Sequence, residues 1–191
     1  NLKRPPPRRK FTVRRAASHL QARQRPRHEH PGFEFAAKAA RLGPSPHPMA
    51  FALPHLHSAY SVEQAVLAER AKVVCLRVGQ EFDVECLKMD QLLQEVASTV
   101  ESACLIYAVD SREVPECVQE FQLTEPLALL FFFQGKLLQL DAGGGVRHKG
   151  VTWALSGRQE LIDLVEAIVR GAQQGRDLIV APRDYSMQFR Y

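Results

Sequence analysis

The sequence predicts an α/β domain, a mixed central sheet flanked by helices, behind a disordered basic N-terminal extension. Three observations predict it. Apolar runs of strand length recur at residues 72–78, 103–109 and 127–133. Segments with apolar residues at helical spacing separate them. Charge divides the 191 residues sharply: residues 1–48 hold 12 Lys/Arg against 2 Asp/Glu, a net of +10, and residues 49–191 hold 13 against 19, a net of −6.

Residues 1–48 are rich in Pro and Arg, as in Pro5-Pro6-Pro7-Arg8-Arg9-Lys10, and show no sustained apolar periodicity. Such composition cannot bury enough apolar surface to offset the entropy of ordering, so disorder is expected. Three readings stand for it: a nucleic-acid-binding or nuclear-address segment, an Arg-rich transit segment, or an artefactual extension upstream of a true start at Met49.

The elements follow in order from Met49. Ser61-Val62-Glu63-Gln64 suits a capped helix start, with the helix running to about Arg70. Lys72 to Val78 reads as a buried strand. From Cys86 to Val100, Met89, Leu92, Leu93, Val96 and Val100 recur at helical spacing. Ala103 to Val109 is a second strand, ending at Asp110, and a short helix spans Val114 to Phe121. Leu127 to Phe133 is a third strand, turned by Gln134-Gly135 into a fourth at Leu137 to Leu140. Gly143-Gly144-Gly145 reads as a flexible loop, since it lacks the Lys-Ser/Thr of a phosphate loop. A short strand near Thr152 to Leu155 precedes a last helix from Gly157 to Ala172. Right-handed crossovers would set the three helix-linked strands parallel, with the hairpin adding an antiparallel edge. This order is that of the thioredoxin-like fold, over residues 49–175.

Thioredoxin-like proteins carry their chemistry where the first central strand enters the next helix, as Cys-x-x-Cys. Here the stretch reads Glu81-Phe82-Asp83-Val84-Glu85-Cys86. Asp83 holds the first cysteine's place and only Cys86 remains, so the pair reads as a vestigial redox position. A helix N-terminus favours a thiolate, whereas the adjacent Asp83 and Glu85 oppose it. The four cysteines, Cys75, Cys86, Cys104 and Cys117, show no metal-ligand spacing, and a soluble protein in a reducing compartment is expected. His55 and His57 lack a third ligand nearby in sequence, so no metal is assigned. Phe131-Phe132-Phe133 is assigned to core packing rather than to a nucleic-acid platform. Pro126 stands where thioredoxins hold a cis-proline, with either an architectural or a peptide-shaping role.

Several runs are more specific than the fold. Met49-Ala50-Phe51-Ala52-Leu53-Pro54-His55-Leu56-His57, then Asp83-x-x-Cys86-Leu87-Lys88-Met89-Asp90, then Ile106-Tyr107-x-Val109-Asp110 and Glu113-Val114-Pro115 resemble the spliceosomal thioredoxin-like (Dim-type) family of the U5 snRNP. So do Arg170-Gly171-Ala172, Gly175-Arg176, Pro182-x-Asp184-Tyr185-Ser186 and Arg190-Tyr191. The match covers residues 49–191. Phe82 departs from the family's usual Trp, and Leu127 from a frequent Cys.

The resemblance implies a nuclear, non-enzymatic subunit of the U4/U6.U5 tri-snRNP, acting in pre-mRNA splicing through protein contacts. Its implied partners are the large U5 scaffold protein and other tri-snRNP proteins, with at most local contact to small nuclear RNA or pre-mRNA. It implies no cofactor, no membrane and no small-molecule substrate. The alternative reading is a monothiol oxidoreductase or disulfide-handling chaperone using Cys86. Candidate partner-binding residues are Pro54, His55 and Leu56, with Arg183, Asp184, Tyr185, Phe189, Arg190 and Tyr191. The latter six lie in a tail, residues 176–191, expected to leave the core and dock elsewhere because its Arg and aromatic content suits interface anchors.

Overall fold

The computed structural model describes residues 53–186. The extension 1–48, the start of the resemblance at Met49–Ala52, and Phe189, Arg190 and Tyr191 lie outside the described residues. In chain order the elements are α1 (Ala59–Ala68), β1 (Val73–Gly79), α2 (Val84–Val100), β2 (Cys104–Asp110), α3 (Pro115–Phe121), β3 (Leu127–Phe133), β4 (Lys136–Leu137), β5 (Gln139–Asp141), β6 (Arg147–His148), β7 (Gly150–Val151), α4 (Arg158–Gln173) and β8 (Leu178–Val180).

The central sheet has the order β2-β1-β3-β4, with β7 also paired to β3. Side chains alternate along each strand, so each strand feeds two cores. Cys75, Leu129 and Phe131 join Met89, Leu93 and Val96 of α2 and Leu161, Leu164 and Ile168 of α4 on one face. Val74, Leu76, Leu130 and Phe132 join Val62 and Val66 of α1 and Val114 and Cys117 on the other. This is the thioredoxin-like fold, and Phe131 and Phe132 are core residues as expected.

Three features differ from the sequence reading. First, β1 pairs parallel with β2 but antiparallel with β3, with Gly79 opposite Leu127. The link between β2 and β3 holds a single short helix rather than one as long as a strand. The seven residues of α3 span about 10 Å at ~1.5 Å per residue, against roughly 23 Å for a seven-residue strand. The chain re-enters the sheet at the end where it left. Second, α1 starts three residues early. Ser58 is its N-cap: its hydroxyl accepts from the Ser61 amide, while the Ser61 side chain answers the Ser58 backbone. This reciprocal cap is made by two serines rather than by Ser and Glu.

Third, the chain does not leave the core after residue 175. Leu178–Val180 forms β8, parallel to β5, in a second sheet of order β6-β5-β8. The predicted fourth strand splits at Leu138, so β4 stays in the central sheet and β5 enters the second. The strand expected near Thr152 to Leu155 lies earlier, as β7. Gly171 lies within α4, where a Cβ would collide with Ile179 of β8. Helix α4 ends at Gln173, and Gly175, whose φ of +74° suits glycine, turns the chain out of it.

Candidate interaction site at the sealed thiol position

Strand β1 ends at Gly79, and the chain turns through Gln80–Phe82 into α2. Asp83 is the N-cap of that helix. Its Oδ1 accepts from the backbone amides of Glu85 at 2.9 Å and Cys86 at 3.4 Å. A carboxylate there satisfies orphan helix donors and complements the helix dipole. Position 83 is thus used to start the helix.

Cys86 is fully buried. Its Sγ donates toward the Pro126 carbonyl at 3.7 Å. The space it occupies exists because residue 79 is glycine: a Cβ there would strike both the Cys86 sulfur and the Pro126 oxygen. Burial pushes the Cys86 thiol above its ordinary range; the Arg77 guanidinium opposes this, and Asp83 and Asp90 add to it. Burial likewise raises Cys75, pushes Cys104 up to about 12 and pushes Cys117 up to about 11. All four thiols are free and buried. No peptide bond is cis among the described residues, so the bond before Pro126 is trans.

Beneath the site lies Arg77, with no solvent exposure. Its Nε donates to Asp90 Oδ1 at 2.7 Å and its Nη2 to Oδ2 at 2.8 Å. This planar two-point pairing compensates a charge placed inside an apolar strand. Burial pushes the Asp90 carboxyl up while Arg77 draws it back. Sequence reading passed over this pair. The signal was present as a lone Arg within Val73–Gly79 and an Asp one helical turn past Cys86, on the same face of the sheet.

The outer surface of the junction is apolar. Phe82 is 78% exposed, Val84 62% and Leu87 52%. Val84 and Leu87 are three apart, on one face of α2. Among the described residues only Tyr60, Val146 and Val180 are comparable exposed large apolar groups, and none neighbours another in sequence. Acids alternate with this patch at Glu81, Asp83 and Glu85. Asp110 joins them, accepting from the Glu81 amide at 3.4 Å. The nearby bases are engaged: Lys88 with Glu85 at 3.1 Å, and Arg112 with the Gln80 side chain at 2.6 Å.

The residues assigned to partner binding fall on different elements. Pro54 and Leu56 exchange backbone hydrogen bonds with Ala108, on the outer edge of β2. His55 is exposed and stacks on His57 at 5.9 Å, and His57 pairs with Glu113 at 2.6 Å. Among the described residues no group of three or more His, Cys, Asp or Glu could hold a metal ion. Nor is any helix there long and apolar enough to cross a membrane.

At the other terminus, Arg183 is exposed and reaches Asp163 of α4 at 3.9 Å. Asp184 is exposed and accepts from the Ser186 amide at 2.8 Å, and a Cβ at Gly143 would collide with it. Tyr185 corrects the sequence reading. It is 3% exposed, its ring lies 5.0 Å from that of Trp153, and its amide donates to the Ala142 carbonyl. Its hydroxyl lies beside Glu160 without a hydrogen bond of ordinary geometry. An aromatic ring followed by no periodic partner had read as an interface anchor; its partners are Trp153 and α4, far off in sequence.

Comparison with known proteins places these features in a lineage. The family described as mitosis protein DIM1 matches residues 52–185. Mitosis protein dim1 of Schizosaccharomyces pombe is 40% identical over 143 residues, covering 75% of this chain and 100% of that protein. Spliceosomal protein DIB1 of Eremothecium gossypii is 36% identical over 134 residues, covering 70% and 93%. Thioredoxin-like protein 4B of Homo sapiens is 33% identical over 136 residues, covering 71% and 91%. The X-ray structure of Fasciola hepatica thioredoxin aligns over 60% of this chain and 97% of its own, at 13% identity and a TM-score of 0.47, a likeness too slight to add to the topology above.

Proposed function

The chain belongs to the DIM1 family, and from that premise we propose that it is a non-enzymatic subunit of the splicing machinery that works through protein–protein contacts. Relatives named as spliceosomal proteins support the setting. One observation carries the mode of action: the α2 N-terminus is capped by Asp83 and its remaining thiol is buried behind Gly79 and Pro126. Thiol exchange requires an accessible thiolate and a resolving partner. Position 83 supplies a carboxylate instead of that partner, and Cys86 shows no exposed sulfur surface.

Within the splicing machinery, the reading assigns the protein to the tri-snRNP, with the large U5 scaffold protein as principal partner, and to the nucleus. Its acidic body suits protein contacts better than RNA wrapping, because phosphate neutralisation needs clustered Lys/Arg. The test is affinity purification of the full chain from nuclear extract, followed by identification of proteins and RNAs. Recovery of U5 proteins and U5 RNA is the expected result. Insulin reduction that is lost on Cys86→Ser, with no splicing components recovered, would overturn it in favour of a thiol enzyme.

A further inference from the structure

We propose that the exposed patch of Phe82, Val84 and Leu87 is a docking site for a basic peptide segment of a partner protein, one in which Lys or Arg side chains bracket a large apolar residue. This rests on the reading of the protein as an interaction module, and it names the partner chemistry of one face.

Three observations carry it. The first is clustering. Three of the six exposed large apolar side chains among the described residues lie within six positions. Single exposed apolar residues are ordinary, but contiguous ones mark interaction surfaces. Phe82 and Leu87 stand at the two positions of a hydrophobic staple, where mutual packing normally hides such residues. Both remain more than half exposed, so local packing does not account for them.

The second is charge. Glu81, Asp83 and Glu85 alternate with the apolar residues, and Asp110 lies against the Glu81 backbone. Among the described residues, Glu85 alone of these has an ion-pair partner, in Lys88. The patch is therefore an apolar centre with a carboxylate rim. Such a rim repels nucleic-acid phosphates and attracts Lys and Arg. The third is preorganisation. The Asp83 cap, the Gly79–Cys86 contact and the Arg77–Asp90 pair hold the α2 N-terminus from below. A rigid platform loses little entropy on binding.

The test uses the full chain immobilised against a combinatorial heptapeptide library, with two variants. Phe82→Ser with Leu87→Ser removes the centre, and Glu81→Lys with Glu85→Lys inverts the rim. All four side chains are solvent-exposed, so both variants should keep the wild-type circular dichroism spectrum. Peptides retained by the wild type and lost in both variants should contain at least two Lys/Arg flanking Trp, Phe, Leu or Ile. The tightest should weaken at least tenfold in each variant and with added salt, and should shift NMR signals of Gln80–Leu87. Enrichment of acidic or uncharged peptides would overturn the proposal. So would no enrichment, or binding that both variants retain. A wild-type dimer abolished by Phe82→Ser with Leu87→Ser would reassign the face to self-association. A uridine decamer shifting the same signals would reassign it to RNA. Recovery of U5 components in the extract experiment is a separate readout, so either result stands or falls without the other.

Discussion

The ring of Tyr185 packs on that of Trp153 at 5.0 Å and 39°, so a residue near the C-terminus completes the core of the domain. Replacing Tyr185 with Ala should cost about 3 kcal/mol, the scale of removing a buried aromatic ring. Deleting residues 182–191 should lower the melting temperature for the same reason, against the sequence expectation that the tail leaves the core. Urea denaturation of both variants measures it, and a midpoint equal to wild type would show that the packing is idle.

The same residue makes an alkaline prediction. Burial, first, and the neighbouring Glu160 push the Tyr185 hydroxyl up to about 12, from about 10 in an unfolded chain. A raised folded value favours the protonated form. Its contribution to stability is complete below pH ~10 and is lost as pH rises through about 12. Absorbance at 295 nm should show a late-titrating tyrosine that Tyr185→Phe removes. Tyr107 is raised too, by its own burial, so one late component should remain in that variant.

Much of the chain was legible because its signals are local. Strands β1, β2 and β3 lie where apolar runs placed them, and Asp83 with Cys86 marked the junction. What escaped was non-local. Three residues of β8 carry no periodicity, and their role appears only when Ile179 meets Gly171. Tyr185 read as an unpartnered ring because Trp153 and Ala142 are distant in sequence. The antiparallel setting of β3 goes with a short α3, a quantity that a strand-by-strand reading does not weigh. The exposed patch was visible only as letters, since Phe82, Val84 and Leu87 have the composition of core residues.

Asp83→Ala should cost about 1 kcal/mol by removing the cap of α2, while Asp83→Asn or Ser should keep most of it. The discriminating measurement is a denaturation midpoint for all three. Equal losses would mean that charge, rather than capping, dominates at this position.

Breaking the buried pair should be more damaging. Arg77→Met alone leaves Asp90 without its cation, and Asp90→Leu alone strands a buried guanidinium; each should cost ~3 kcal/mol. The double variant should recover part of that loss. A double-mutant cycle reads the coupling, and strict additivity would mean that the two residues act independently.

The thiols give a direct check on chemistry. With every cysteine buried, Ellman's reagent at pH 8 should titrate almost none in the native protein and all four in guanidinium. A single fast-reacting thiol that disappears in Cys86→Ser would reopen the enzymatic alternative.

Strand β1 has long ladders on both sides, seven residues with β2 and six with β3. In the language of amide exchange, the domain should have a slow centre and a fast rim, with β1 amides opening only on global unfolding. Gly79 is the last residue of that strand, and the exposed Phe82–Leu87 face begins three residues beyond it. A partner that grips this face takes hold of the most persistent part of the molecule. Pulling on it would load the centre of the sheet rather than peel an edge.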